Sequence, residues 1–117
     1  MAKFKIPSEI LKAMDQDTRN KRLWDDVRNK SYSIRKEFVD CVEDKSQCLV
    51  CQCLITNPIT MPCSHSFCKT CIERAFKAEH YACPNCRADL SQSAVKLEVN
   101  QEMRACLLLI FPGYEIL

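Results

Sequence analysis

The apolar residues of this chain recur at helical spacing near both ends and lose that rhythm in the middle. Ile10, Leu11, Met14, Leu23, Trp24 and Val27 form a stripe that predicts a helix over residues 8–29, with Ser8 at its start after Pro7. The stripe lapses through the polar run Asp15–Lys21, and Asn29 to Ser33 reads as a break. Ile34, Phe38, Val39 and Val42, at three- and four-residue steps, predict a second helix over residues 34–43. Ile72, Ala75 and Phe76 share one side of a short helix expected at Ile72–Glu79. Val95 to Val99 alternates apolar and polar positions, the pattern of a short strand. Asn100 suits the cap of a last helix, over residues 100–111, that carries Met103, Leu107, Leu108 and Ile110 and stops at Pro112 and Gly113. Apolar stripes need cover, and the simplest arrangement packs helix 34–43 against helix 100–111.

In the middle of the chain the pattern is set by cysteine rather than by periodicity. The 117 residues include ten cysteines. In a secreted protein such a count would suggest disulfides. Here Met1–Leu11 has no long apolar run and contains Lys3, Lys5 and Glu9, so no signal peptide is expected. The longest apolar run, Ala105–Phe111, is much too short to span a membrane. Reduced thiols holding metal in an intracellular compartment are the better expectation.

The spacing supports metal. Eight residues read Cys48-x2-Cys51-x11-Cys63-x-His65-x2-Cys68-x2-Cys71-x11-Cys83-x2-Cys86. Thiolate and imidazole are the donors zinc prefers, and two tetrahedral ions need eight of them. One Cys-x2-Cys pair says little; four close pairs in this stretch say much more. Spacing alone leaves open how the pairs are shared, sequentially as in LIM-type fingers or interleaved. Cys53 could join as a stray ligand, but the set of eight is already complete. Cys41 and Cys106 lie on the helical stripes and read as small core residues. The chain divides into a helical N-terminal extension (1–46), a zinc-binding module (47–90) and a C-terminal strand and helix (91–117) packing on that module.

Charge narrows the partners. Residues 1–47 carry 11 Lys/Arg against 9 Asp/Glu, and residues 48–117 carry 6 against 6. Seven thiolates with two divalent ions would take the formal +2 to about −1. Direct nucleic-acid binding is therefore not expected from bulk charge.

The ligand order, three Cys, one His, four Cys, resembles that of the RING finger. Asn57-Pro58-Ile59-Thr60, the run Cys68-Lys69-Thr70-Cys71-Ile72-Glu73-Arg74-Ala75-Phe76, Cys83-Pro84-Asn85-Cys86-Arg87-Ala88-Asp89-Leu90 and the tail Val99-Asn100-Gln101 with Phe111-Pro112-Gly113-Tyr114 are similar to one subgroup. That subgroup is the carboxy-terminal RING of the ubiquitin-like, PHD and RING finger proteins, nuclear ubiquitin ligases of chromatin. The resemblance implies a small α+β fold, a zinc-stabilised cross-braced RING domain flanked by N-terminal and C-terminal helices. It implies Cys48, Cys51, Cys68 and Cys71 on one zinc ion and Cys63, His65, Cys83 and Cys86 on the other. A histone-reading PHD finger fits less well, because its His takes the fifth ligand place. The 46 leading residues leave no room for the family's ubiquitin-like, histone-reading or methyl-DNA-binding modules, so those roles are not carried over.

By the same resemblance the chain would be a RING-type ubiquitin ligase. Its partners would be a ubiquitin-conjugating enzyme, ubiquitin and a protein substrate such as a histone, in the nucleus and away from membranes. RING domains present an apolar residue after the first ligand, here Leu49, residues of the central helix, here Ala75 or Phe76, and the proline after the seventh ligand, here Pro84. Ala75 is smaller than the Trp or Leu that many RING domains carry there, which shifts the contact toward Phe76. Arg87 matches the place of the basic residue that bridges conjugating enzyme and ubiquitin; no protein nucleophile is implied. The competing reading is a non-catalytic RING that only pairs with another chain.

Overall fold

The computed structural model describes residues 4–91 and 97–116. Among them lie α1 (Ser8–Gln16), α2 (Lys21–Asn29), α3 (Arg35–Lys45), β1 (Pro58–Thr60), β2 (Ser66–Cys68), α4 (Lys69–Lys77) and α5 (Gln101–Ile110), with 3₁₀ turns at Thr18–Asn20 and Tyr114–Ile116. Five helices around a two-stranded sheet make the small α+β fold that was expected. The molecule is elongated, 52 × 27 × 20 Å.

The helix expected over 8–29 is two helices, and the lapse in its stripe marks the joint. Asp17 leaves helical geometry there, with φ −86° and ψ 75°. Its side chain is buried, and a buried carboxylate must find donors. One oxygen accepts from Asn20 Nδ2 at 2.9 Å and Trp24 Nε1 at 2.7 Å; the other accepts from Asn100 Nδ2 at 3.0 Å. Asn100 also donates to Thr60 Oγ1 at 2.9 Å, while its own carbonyl oxygen accepts from the Met103 amide and caps α5. Ser66 donates to Asn20 Oδ1 at 3.2 Å and pairs with Thr60 Oγ1 at 2.8 Å across the sheet. One polar cluster thus ties the N-terminal helices, the hairpin and α5 together.

The helices are paired differently from the expectation. α5 buries Met103, Cys106, Leu107 and Ile110 and packs chiefly on α1, against a face that includes Ile10, Ala13 and Met14. α3 packs on α2 instead. The reason lies in α3's narrow face. Ile34 sits before its first turn in extended backbone and is 52% exposed, so only Phe38 and Val42 are buried. The Phe38 ring is covered locally, with ring centroids of Tyr32 and Phe4 at 5.3 and 5.4 Å.

The hairpin pairs Pro58 with Cys68, Ile59 with Phe67 and Thr60 with Ser66. Ile59 and Phe67 are buried, as is Ile72 of α4. α4 begins directly at the end of β2, at Lys69 rather than Ile72. The amide of Asn100 donates to Pro58 O at 2.7 Å, which brings the start of α5 to the edge of the hairpin. Beyond α5, Gly113 turns the chain at φ +78°, and Tyr114 Oη donates to Ile55 O at 2.6 Å. Of the strand expected at Val95–Val99, Val95 and Lys96 lie outside the described residues, and Leu97–Val99 are not in a strand.

Candidate metal centre and docking face

Two similar knuckles carry half of the ligands. In the first, Gln52 N donates to Cys48 O at 2.7 Å and Cys48 N to Cys53 O at 2.8 Å. In the second, Arg87 N donates to Cys83 O at 2.8 Å and Cys83 N to Ala88 O at 2.9 Å. Each turn closes only if the residue after its second cysteine is left-handed. Gln52 and Arg87 occupy that place, with φ 60° and 63°. For residues with a Cβ this costs on the order of 1 kcal/mol each.

The other ligands come from the hairpin and the helix after it. Cys63 and His65 lie in the β1–β2 turn, held by Met61 N to His65 O and Ser64 N to Met61 O, both 2.8 Å. Cys68 ends β2 and Cys71 lies in the first turn of α4.

The fold gathers these residues into two groups, Cys48, Cys51, Cys68 and Cys71, and Cys63, His65, Cys83 and Cys86. In each, the donor atoms all lie within 4.8 Å of one another. The arrangement is interleaved, which removes the sequential alternative. Zinc with thiolate bonds of about 2.3 Å in a tetrahedron would separate its sulfurs by about 3.8 Å. Cys51 Sγ and Cys68 Sγ are 3.8 Å apart. His65 turns Nδ1 toward the second group, 3.6 Å from Cys83 Sγ. The donors therefore fit two zinc ions.

The acidities of the thiols within each group are driven apart: burial raises the Cys51 pKa but the Cys53 amide and neighbouring sulfurs lower it on balance, and the Ala88 amide lowers that of Cys86. Burial, with the neighbouring Cys48 sulfur, pushes the Cys71 thiol up to about 12. Burial pushes Cys63 and Cys68 up to about 11. Sulfurs this crowded cannot all ionise unless a cation balances them. The Thr56 amide donates to Cys68 Sγ at 3.4 Å, which suits a thiolate ligand. Cys53 belongs to neither group; it is exposed, with Sγ 3.5 Å from Cys51 O. Cys106 is buried, and burial together with the charge of Asp17 pushes its thiol up to about 12.

The residues expected to dock a partner are distributed over the same elements. Leu49, in the first knuckle, is 54% exposed. Pro84 is half-buried in the second knuckle, and Ala75 and Phe76 are half-buried on α4. Arg87 is exposed. Sequence reasoning missed Val50, 50% exposed beside Leu49, and Tyr81, whose ring meets Phe76 edge-on at 5.3 Å. It also missed the cluster around Asp17; the only sign was the broken stripe, with no hint of what filled the gap.

Comparison with known proteins agrees with this geometry. The family "Zinc finger, C3HC4 type (RING finger)" matches residues 47–86. The chain is 39% identical over 111 residues to E3 ubiquitin-protein ligase UHRF1 of Danio rerio, a match covering 95% of this chain and 14% of that protein. It is 36% identical over 111 residues to E3 ubiquitin-protein ligase UHRF2 of Mus musculus, with the same coverage of 95% and 14%. A narrower match, 45% identical over 53 residues, links 43% of the chain to 12% of E3 ubiquitin-protein ligase RNF135 of Homo sapiens. The UHRF matches reach well past the zinc module, so the flanking helices share in the likeness. Residues 47–86 therefore form a RING finger with the ligand order three cysteines, one histidine, four cysteines, in a chain that resembles the UHRF proteins over nearly its whole length.

Proposed function

We propose that this chain acts as a RING-type ubiquitin ligase. It docks a ubiquitin-charged conjugating enzyme and holds the thioester open to a substrate lysine. The lysine amine attacks the thioester carbonyl, a C–N bond forms, and the conjugating enzyme's thiolate leaves. The chain supplies no nucleophile. Its contribution is positioning, which can lower a barrier by several kcal/mol without covalent participation.

The observation that carries this reading is the exposure of Leu49 and Val50 on a knuckle that carries two of the four ligands of its metal group. Apolar side chains held in water by a rigid loop suit a small, transient interface. Phe76 and Pro84 extend the patch by resemblance, and Arg87 bridges ubiquitin and the conjugating enzyme with its five donors. Zinc, when bound, supplies structure by fixing the two knuckles. A nuclear setting and a chromatin protein, such as a histone, as substrate extend the proposal from the resemblance.

The test is single-turnover discharge of ubiquitin from a panel of charged conjugating enzymes to free lysine. The parent should accelerate discharge. Arg87→Ala should slow it by roughly tenfold or more, the scale of one or two charge-assisted hydrogen bonds, and leave binding of the uncharged enzyme nearly unchanged. No acceleration by the parent on any member would favour the non-catalytic RING.

A further inference from the structure

A groove of about 980 Å³ runs between the start of α2 and the β1–β2 turn that carries Cys63 and His65. Its charged lining is Arg19, Lys21, Arg22 and Lys45 against Asp25 and Asp26. All four cations are exposed. Among the described residues, the ion pairs are Arg28 with Asp15 and Asp25, and Arg104 with Glu115, so none of the four is neutralised. Asp25 already faces Arg28 at 3.7 Å. The groove is thus net positive, and its cations have no ion-pair partner among the described residues.

Two connections indicate what it meets. A smaller cleft shares Asn20, Leu23, Lys45, Ser64 and His65 with this groove and extends to Leu49 and Asn85, which lie on the two knuckles. The cationic surface is therefore continuous with the docking face. In addition, Cys63 and His65 belong to the same metal group as Cys83 and Cys86, and Arg87 directly follows Cys86. A body touched by Arg87 lies beside the zinc centre that this groove flanks.

We infer that the groove receives an acidic surface of the thioester-linked ubiquitin, making the N-terminal helices part of the ligase. The inference rests on the ligase reading proposed above. Unpaired cations at the rim of an interface act through long-range attraction and orientation more than through tight binding. Their effect should appear in the charged conjugate and weaken with salt.

The experiment compares the full zinc-loaded chain with Arg19→Glu/Arg22→Glu and with Arg19→Lys/Arg22→Lys. Both positions are exposed, and matched circular dichroism and zinc content would establish that the variants fold. Discharge should slow about fivefold in the glutamate variant and stay near the parent rate in the lysine variant, as expected for a rim charge effect. Binding of the uncharged conjugating enzyme should be the same for all three. Raising salt from about 50 to about 300 mM should slow the parent and slightly speed the glutamate variant, whose groove is net negative, because salt screens repulsion as it screens attraction. Equal rates and equal salt dependence would overturn the inference while the ligase reading stands. Weaker binding of the uncharged enzyme by the glutamate variant would put that enzyme, not ubiquitin, in the groove. Inhibition of the parent, but not of the glutamate variant, by a short DNA duplex, with ubiquitin transfer otherwise equal, would assign the groove to nucleic acid. A parent that stimulates no discharge would defeat both readings together.

Discussion

Asp17 and Asn100 stand 83 residues apart in the chain and share a buried 3.0 Å hydrogen bond. Asp17 also holds Trp24 and Asn20, and Asn100 also holds Thr60 and the first turn of α5. Asp17→Ala should destabilise the zinc-loaded protein by about 3 kcal/mol, because three buried donors lose their acceptor. Asn100→Ala should cost about 2 kcal/mol through the lost cap and the lost bond. In urea unfolding the double variant should be less damaged than the sum of the singles, by about 1 kcal/mol or more. Strict additivity would mean that the two side chains are not energetically linked.

Zinc loading separates ligands from bystanders. Native mass spectrometry should find two zinc ions on the parent and on Cys53→Ser, since Cys53 lies outside both groups. Cys63→Ser should lose one ion and loosen hydrogen-exchange protection around Cys83–Leu90. Full chelation should unfold residues 48–86, whose apolar core is too small to hold without metal. One ion per parent chain, or unchanged content in Cys63→Ser, would contradict the assignment.

Leu49→Ala should weaken binding of a conjugating enzyme by about 1 kcal/mol or more, the scale of a central apolar contact. Leu49 is 54% exposed, so zinc content and melting temperature should not change. Titration giving the same affinity for variant and parent would move the docking face elsewhere.

Arg87→Gly separates backbone from side chain. At φ 63° glycine is at ease where arginine is not. The variant should be no less stable than the parent, to within about 1 kcal/mol, because the relieved strain offsets glycine's extra chain entropy. Its discharge rate should nevertheless fall as far as that of Arg87→Ala. A stable and fully active glycine variant would show that the guanidinium has no part in transfer.

Cys106 gives the chain a pH dependence of known sign. Burial holds its folded thiol near 12, above the ordinary value of 9.0. The unfolded chain therefore releases this proton first as pH rises. The stabilising difference is complete below about pH 8.5 and is lost as pH climbs toward 12. Between pH 8 and 10 the parent should lose about 1 kcal/mol more stability than Cys106→Ala. Parallel pH curves for the two would show that the thiol does not sense its burial.

The metal centre was legible because coordination demands particular side chains at fixed short spacings, and Cys48 to Cys86 show them directly. The pairing of the ligands needed either the resemblance or the fold, since Cys-x2-Cys looks the same in both orders. The break at Asp17 was legible as a gap in the stripe. Its cause was not, because polar residues within a helical stretch ordinarily face water, and the donors to Asp17 include Asn100 from the far end of the chain. Helix pairing failed for a related reason. Ile34 falls at the spacing of the apolar face, yet it sits before α3's first turn, and the width of a face is known only once the turn is placed.

The bond between Asp17 and Asn100 also sets an order of events at the ribosome. Trp24 and Asn20 can reach Asp17 as soon as α2 emerges, but the second carboxylate oxygen waits for Asn100. Both zinc groups are complete once Cys86 is outside the tunnel, fourteen residues earlier by position in the chain. A nascent chain can therefore form its knuckles while α1 still lacks the α5 face it packs on. By order of synthesis, every metal ligand is available before α5 is, so the contact that closes α1 onto the metal-built platform is the last that can form.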